Sequence, residues 1–307
     1  MQIASGGSVF STLRSSPLPL RFPLLRESLG GLFAALFPTT CPLCGMLLRH
    51  AGRTAVCEDC WKAVRPWNGI VCACCGIPLA SEALADTADL RCGLCRKETY
   101  DFDLARSYGL YSSPLRELIL HVKFRRRERW GLRLGELLAS TWRSIAPYLE
   151  DTSPVLIPIP LHPSRQGERG FNQAEVLARG LRRAIRKAGI PNAPGLEARW
   201  IRRVRATAPQ SGLRHRARLE NVRGAFEVCH AKRVRGRSVI LVDDVMTTGA
   251  TASACARALK RAGARKVLVL TLAHVTPQFP DGIHPLEPAE LPKLAEPAVD
   301  AEPSARR

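Results

Sequence analysis

The chain has 307 residues, enough for one large α/β domain and a smaller unit, and its 46% apolar content is ordinary for a globular protein. Its 46 Lys and Arg against 27 Asp and Glu give a net charge of +19, which favours phosphate or nucleic-acid partners, although Arg-rich codon usage would produce the same excess. No apolar run reaches the roughly 18 residues that a membrane-spanning helix needs, so no such span is expected.

Residues 1–25 contain Ser and Arg but no acid, a composition shared by organellar transit peptides and disordered extensions. An over-early start codon would also explain it. Leu29 to Phe37 is apolar but short, and no small-residue cleavage site follows, so a secretory signal is not expected. Residues 1–37 are therefore an extension, partly disordered.

Residues 38–96 carry four cysteine pairs: Cys41 with Cys44, Cys57 with Cys60, Cys72 with Cys75, and Cys92 with Cys95. A C-x-x-C knuckle presents two thiolates to one metal, and two knuckles complete a tetrahedron around zinc. The expectation is two Cys₄ ribbons in sequence, with Cys74 spare; cross-bracing of the first knuckle with the third is the alternative. Gly45, Gly76 and Gly93 follow or lie within knuckles, where a positive φ helps the turn. Disulfides would need an oxidising compartment, and nothing signals export. An iron–sulfur cluster would also accept four thiolates, but the ribbon spacing favours zinc. Both zinc sites read as structural, since protein ligands fill every position. Metal binding of roughly 10–16 kcal/mol would fold a segment with so little core of its own.

Residues 104–275 alternate between strand and helix patterns. Ala105 to Tyr111 reads as a strand. Ser113 is placed to cap a helix with Pro114 at its first position, and Leu115, Leu118, Ile119 and Val122 form its apolar face. The helix ends in a basic cluster, so Lys123, Arg125, Arg126 and Arg127 are candidate polyanion contacts; a solvated face is the plainer alternative. Phe124, Trp61, Trp67 and Trp130 are available for base stacking or, more commonly, for core packing. A second helix spans about Gly131 to Ile145.

Pro154 to Pro160 reads as a strand running into a loop rich in Gly, Pro and Arg, followed by a helix over Gln173 to Lys187 that stops at Gly189. Strand, basic glycine loop and helix describe a phosphate site, with Arg165, Arg169 and Gly170 as its candidate residues. From Arg202 the chain is basic and aperiodic as far as Leu213, which suggests a mobile lid. Phe226 to Val228 is a candidate short strand.

The most informative stretch is Val239-Ile-Leu-Val-Asp-Asp-Val-Met-Thr-Thr-Gly-Ala-Thr251. Four apolar residues make a buried strand, two acids come next, and a small-residue turn opens a helix that ends at Gly263. Such a turn is an anion site, because free amides and the helix dipole converge on it. Thr247, Thr248 and Thr251 add hydroxyls, and Gly249 admits a close backbone approach. Asp243 and Asp244 would repel a phosphate, so they suit ligand hydroxyls or a bridging metal. Lys266 to Ala273 is a further buried strand, and residues 276–307 read as a disordered tail. Together the elements specify an α/β fold: a parallel, doubly wound sheet with helices on both faces, behind a small Cys-rich unit.

The Asp243 to Thr251 run resembles the phosphoribosyl-diphosphate (PRPP) loop of type I phosphoribosyltransferases. That resemblance implies that Asp243 and Asp244 hold the ribose hydroxyls, that Val245 and Met246 belong to the same PRPP-binding run, that Thr247, Thr248, Gly249, Ala250 and Thr251 cradle the 5′-phosphate, and that the Arg165 to Gly170 loop holds the pyrophosphate beside magnesium. Taken with the knuckles, Lys123-Phe-Arg125, Val155-Leu-Ile-Pro-Ile-Pro-Leu-His-Pro163, Glu168-Arg-Gly-Phe-Asn-Gln173, Thr207-Ala-Pro-Gln-Ser-Gly-Leu213 and Arg218 to Phe226, the chain resembles the ComF family of competence proteins. The family implies a cytoplasmic protein that binds PRPP with magnesium, contacts single-stranded DNA and assists DNA uptake, with an uptake helicase as a partner. Two alternatives stay open: an active phosphoribosyltransferase of nucleotide or amine metabolism without a DNA role, and a PRPP-sensing regulator without turnover. No general base stands out.

Overall fold

The computed structural model describes residues 39–48, 55–79, 90–149, 153–206 and 222–276. The expected N-terminal extension, most of the basic lid and the tail lie outside the described residues. In chain order the elements are α1 (Glu58–Lys62), α2 (Gly93–Lys97), β1 (Leu104–Leu110), α3 (Leu115–Arg125), α4 (Glu128–Ile145), β2 (Val155–Pro158), α5 (Pro163–Arg169), α6 (Gln173–Lys187), β3 (Gly195–Leu196), β4 (Ile201–Arg203), β5 (Phe226–Val228), α7 (Ala231–Val234), β6 (Ser238–Met246), α8 (Ala250–Arg261) and β7 (Lys266–His274).

Five strands form one parallel sheet in the order β1-β7-β6-β2-β3. The apolar run of β6 alternates across it, because successive strand residues face opposite sides. Ile240 and Val242 pack with α3, α4, α6 and the first ribbon, including Cys41, Cys60 and Trp61. Val239 and Leu241 pack with α8, the β4–β5 hairpin and the second ribbon, including Cys72, Cys75 and Cys95. Each ribbon thus closes a different face of the sheet.

Helices α4 and α6 touch backbone to backbone. A Cβ on Gly180 would lie 2.2 Å from the Leu132 carbonyl oxygen, and one on Gly135 would lie 2.2 Å from that of Leu177. Only glycine permits that approach.

Several local readings need correction. Ser113 does not cap α3: Pro114 occupies the cap position without a side-chain bond, and the Ser113 hydroxyl donates to Glu117 Oε1 at 2.7 Å. The basic loop after β2 contains the short helix α5, capped by the His162 side chain and ended by Gly170 at φ 81°. The stretch from Arg202 begins in a strand rather than a lid, since β4 pairs antiparallel with β5. Gly93 lies in α2 and needs no positive φ, unlike Gly45 and Gly76, both at 72°. Trp61 and Trp130 are core residues, at 7% and 3% exposure, and offer no face to a base.

Candidate functional site: two thiolate centres and a cleft at the sheet's carboxyl end

The cysteines converge as two groups, Cys41, Cys44, Cys57 and Cys60, then Cys72, Cys75, Cys92 and Cys95, with Sγ atoms within 4.8 Å of one another. This is the sequential pairing, not the cross-braced one. A Zn–S bond of about 2.3 Å puts the edge of a sulfur tetrahedron at about 3.8 Å. The Sγ separations are 3.8 Å for Cys41–Cys60, 3.6 Å for Cys44–Cys57 and 3.7 Å for Cys75–Cys92. A disulfide would bring sulfurs to about 2.05 Å, and all eleven cysteines are unbonded. The donor sets therefore fit structural zinc.

Backbone amides donate to the sulfurs, Cys57 N to Cys41 Sγ at 3.5 Å and Cys92 N to Cys72 Sγ at 3.3 Å, which stabilises thiolate charge. Cys74 lies outside the second tetrahedron; a hydrogen bond with Cys95 first, and then the attraction of Arg91 and Arg106, lower its thiol to about 7 against the opposing effect of burial.

At the carboxyl ends of β2 and β6 lies a cleft of about 360 Å³. Ligand crevices form here in parallel sheets, where strand ends and helix N-termini converge. Residues 243 to 247 and 249 to 251 line the cleft together with Arg165 and Arg169; Thr248 and Gly170 do not. Arg165 and Arg169 reach it together because they are four residues apart on α5, hence on one helical face. Arg169 also donates to Gln173 Oε1 at 3.0 Å.

Strand β6 continues through both acids to Met246, so Asp243 and Asp244 belong to the strand end and not to the turn beyond it. Asp243 Oδ1 accepts the Asp244 amide at 2.9 Å. Burial first, and then the neighbouring Asp244 charge, push the Asp243 carboxyl up to about 7. Asp244 is buried; its Oδ1 accepts Lys123 Nζ at 3.0 Å, and its Oδ2 has no hydrogen-bond partner among the described residues. The Thr248 hydroxyl is likewise buried without a partner. An unsatisfied buried polar group costs about 1–3 kcal/mol; a hydroxyl-bearing ligand in the cleft could remove that cost at Asp244, which lines it, but not at Thr248, which does not.

The turn itself is held from behind. Tyr100, five residues past Cys95, donates its hydroxyl to the Thr248 carbonyl at 3.0 Å. Asp101 accepts from Ser253 Oγ at 2.8 Å and pairs with Arg257 at 2.9 Å, pinning the first turns of α8. Gly249 adopts φ 73°, and a Cβ there would lie 3.1 Å from the Tyr100 ring.

Two cleft residues lie outside the groups to which the sequence pattern assigns them. Lys123, grouped with the surface cations, points inward with its side chain 17% exposed. The period of α3 holds the signal, since Lys123 follows the buried Val122 and lies four residues from Ile119. Arg203, assigned to the lid, lines the cleft above the Phe226 ring at 5.4 Å, and burial lowers its pKa. Arg125, Arg126 and Arg127 are exposed as expected.

The profile of a double zinc ribbon domain matches residues 32–96, and that of a phosphoribosyl transferase domain matches residues 171–282. DNA utilization protein YhgH of Escherichia coli O6:H1 is 33% identical over 243 residues, covering 76% of this chain and 96% of the relative. Competence protein F of Haemophilus influenzae is 31% identical over 226 residues, covering 73% and 92%. The chain belongs to the ComF family. Competence protein ComFC of Bacillus subtilis is a more distant member, 28% identical over 211 residues and covering 68% and 79%. Among the described residues of this ComF protein, no helix is long and apolar enough to cross a membrane.

Proposed function

We propose that this protein binds PRPP in the cleft at the carboxyl end of its sheet, contacts single-stranded DNA on the basic rim beside it, and so serves DNA uptake. One observation carries the reading. An acid pair, a threonine turn at a helix N-terminus and two arginines from the separate helix α5 meet in a single cleft. Hydroxyls suit the acids, the 5′-phosphate suits the turn, and diphosphate oxygens suit the planar guanidinium groups.

The rim supports the DNA part. Phe124 is 66% exposed beside Arg125, Arg126 and Arg127, and the Arg169 guanidinium stands 5.6 Å from its ring centre. An exposed aromatic among cations can stack a base while the cations track the backbone. The names of the relatives, a DNA utilization protein and two competence proteins, point the same way. The partner such a role implies is the helicase that draws in the strand. Unbonded thiols spent on metal fit a reducing cytoplasm.

PRPP should raise the melting temperature of the full chain, and the double change Asp243→Asn with Asp244→Asn should abolish that rise. A rise that survives both changes would mean the ligand lies elsewhere. Oligonucleotide affinity should fall with salt at about −0.7 in log–log slope per phosphate contacted, or about −3.5 for five contacts. A flat salt response would remove DNA from the function. Pyrophosphate release from PRPP across a panel of amines and bases separates a transferase from a sensor.

A further inference from the structure

An acid pair facing a diphosphate is ordinarily expected to work with a divalent cation. The residues of this cleft fit a protein-held magnesium poorly. Magnesium wants near-octahedral oxygen ligands, reached through open carboxylates and several waters. Here Asp243 Oδ1 is taken by the Asp244 amide, Asp244 Oδ1 by Lys123, and Asp244 Oδ2 is buried. Inner-shell coordination would have to displace the Lys123 ammonium from Asp244, whereas a ligand hydroxyl can donate to the second lone pair of an engaged oxygen, or to Asp244 Oδ2, without displacing anything.

The cleft instead carries its own cations. Lys123, Arg165, Arg169 and Arg203 line it against two acids, Asp243 and Asp244. The ammonium of Lys123 is placed by a rigid support, because Leu118, Ile119 and Val122 anchor α3 in the core. A buried ion pair is poor evidence for stability, since desolvation offsets most of its attraction. Its presence in a ligand cleft, beside a carboxylate oxygen left unsatisfied, is better explained by a ligand that completes the arrangement.

We propose that Lys123 supplies the positive charge a divalent cation would otherwise bring, so that PRPP binds this protein without magnesium. The proposal rests on the PRPP reading above but can fail separately from it. In this arrangement Lys123 keeps Asp244 neutralised, the acid pair accepts ribose hydroxyls, and Arg165, Arg169 and Arg203 face the diphosphate. Magnesium, when present, travels on the ligand's own oxygens.

Calorimetric titration of the full chain with the sodium salt of PRPP tests this. Protein and ligand are first passed over chelating resin, then titrated with and without added magnesium, while zinc content is checked so that the ribbons stay loaded. The dissociation constants are expected to agree within about threefold, less than the fivefold lower edge of ordinary site-to-site coupling. The Lys123→Met protein is expected to lose at least about tenfold in affinity without magnesium and to recover most of it when magnesium is added. A purely structural lysine would show no such rescue. If the wild-type chain binds PRPP only with magnesium, or Lys123→Met behaves as wild type in both buffers, Lys123 does not replace the metal and the PRPP reading stands. If PRPP binds in neither buffer, the reading beneath fails and takes this proposal with it. The wild-type comparison needs no variant, so a misfolded Lys123→Met protein would leave the question decidable.

Discussion

The two ribbons have the same four-cysteine chemistry but do different work in the fold. The first lies on the α3–α4–α6 face, where Trp61 is buried against α4 and the Arg133 guanidinium stands 4.1 Å over its ring. Neither Trp61 nor Arg133 lines the cleft. The second is bolted to β1 by the Ala105 amide on the Cys74 carbonyl at 2.8 Å and by Arg106 on the Ala73 carbonyl at 3.2 Å. Its trailing residues then reach the threonine turn through Tyr100 and Asp101. Ligand identity therefore says little about a metal site's role; the residues just past the last ligand decide it.

The largest expected effect tests that contrast directly. Replacing Cys92 and Cys95 with Ser should release one zinc and also weaken PRPP binding by tenfold or more, because the Tyr100–Asp101 brace loses its anchor. Replacing Cys57 and Cys60 should release one zinc and lower the melting temperature while PRPP affinity in the surviving folded protein changes little. Zinc stoichiometry with calorimetry reads both. Equal losses of PRPP affinity from the two ribbons would erase the distinction. A finer cut is Tyr100→Phe, which leaves all eight thiolates in place and removes one hydrogen bond to the turn. A neutral hydrogen bond contributes about 0.5–1.5 kcal/mol, so affinity should fall by about two- to twelvefold with zinc content unchanged.

This difference explains what the sequence could and could not disclose. Both Cys₄ sets were legible because a knuckle is a local object whose spacing states its chemistry. The parallel sheet was legible because β6 and β7 carry the apolar runs Val239 to Val242 and Val267 to Leu270, buried as central parallel strands require. The run from Asp243 to Thr251 was legible for the same local reason, although its two acids end β6 and the turn comes after Met246. Lys123 and Arg203 were not, because their neighbours in the cleft are remote in sequence: Lys123 meets Asp244 across 121 residues, by subtraction of their numbers. In the sequence Lys123 is one cation among several, and only the packing of α3 against the sheet turns it inward. Trp61 and Trp130 took the commoner of the two fates their chemistry allowed, since their positions were needed in the core.

The pH dependence of the empty cleft supplies a smaller test of how the acid pair differs from the ribbon beside it. Asp243 has a carboxyl raised to about 7, above its ordinary value of 3.8. Between those values the folded chain holds a proton there that the unfolded chain has released. Stability from this group is therefore greatest at the acid end and is lost as pH rises toward 7. Asp243→Asn should remove that downward slope, so that wild type and variant converge below about pH 4 and the variant is the more stable at pH 8 by denaturant titration. Zinc ribbons respond the other way, because protons compete with metal for thiolates and acid loosens them.

The smallest expected effect lies on the far side of the sheet. Arg133→Met keeps the aliphatic stem over Trp61 and deletes the charge. A cation–π contact contributes about 0.5–1 kcal/mol at exposed sites and about 2 when desolvated, and burial lowers the pKa of this guanidinium, so a loss between those limits is expected. The first ribbon and α4 would both loosen, seen as a lower denaturant midpoint and faster zinc release to a chelator. PRPP affinity should not move, because Trp61 and Arg133 do not line the cleft and the first ribbon packs on the sheet face opposite the second, whose trailing residues brace the turn. A change in PRPP affinity as large as that of Tyr100→Phe would show that the sheet carries strain from one face to the other, and the two ribbons would then have to be treated as one device.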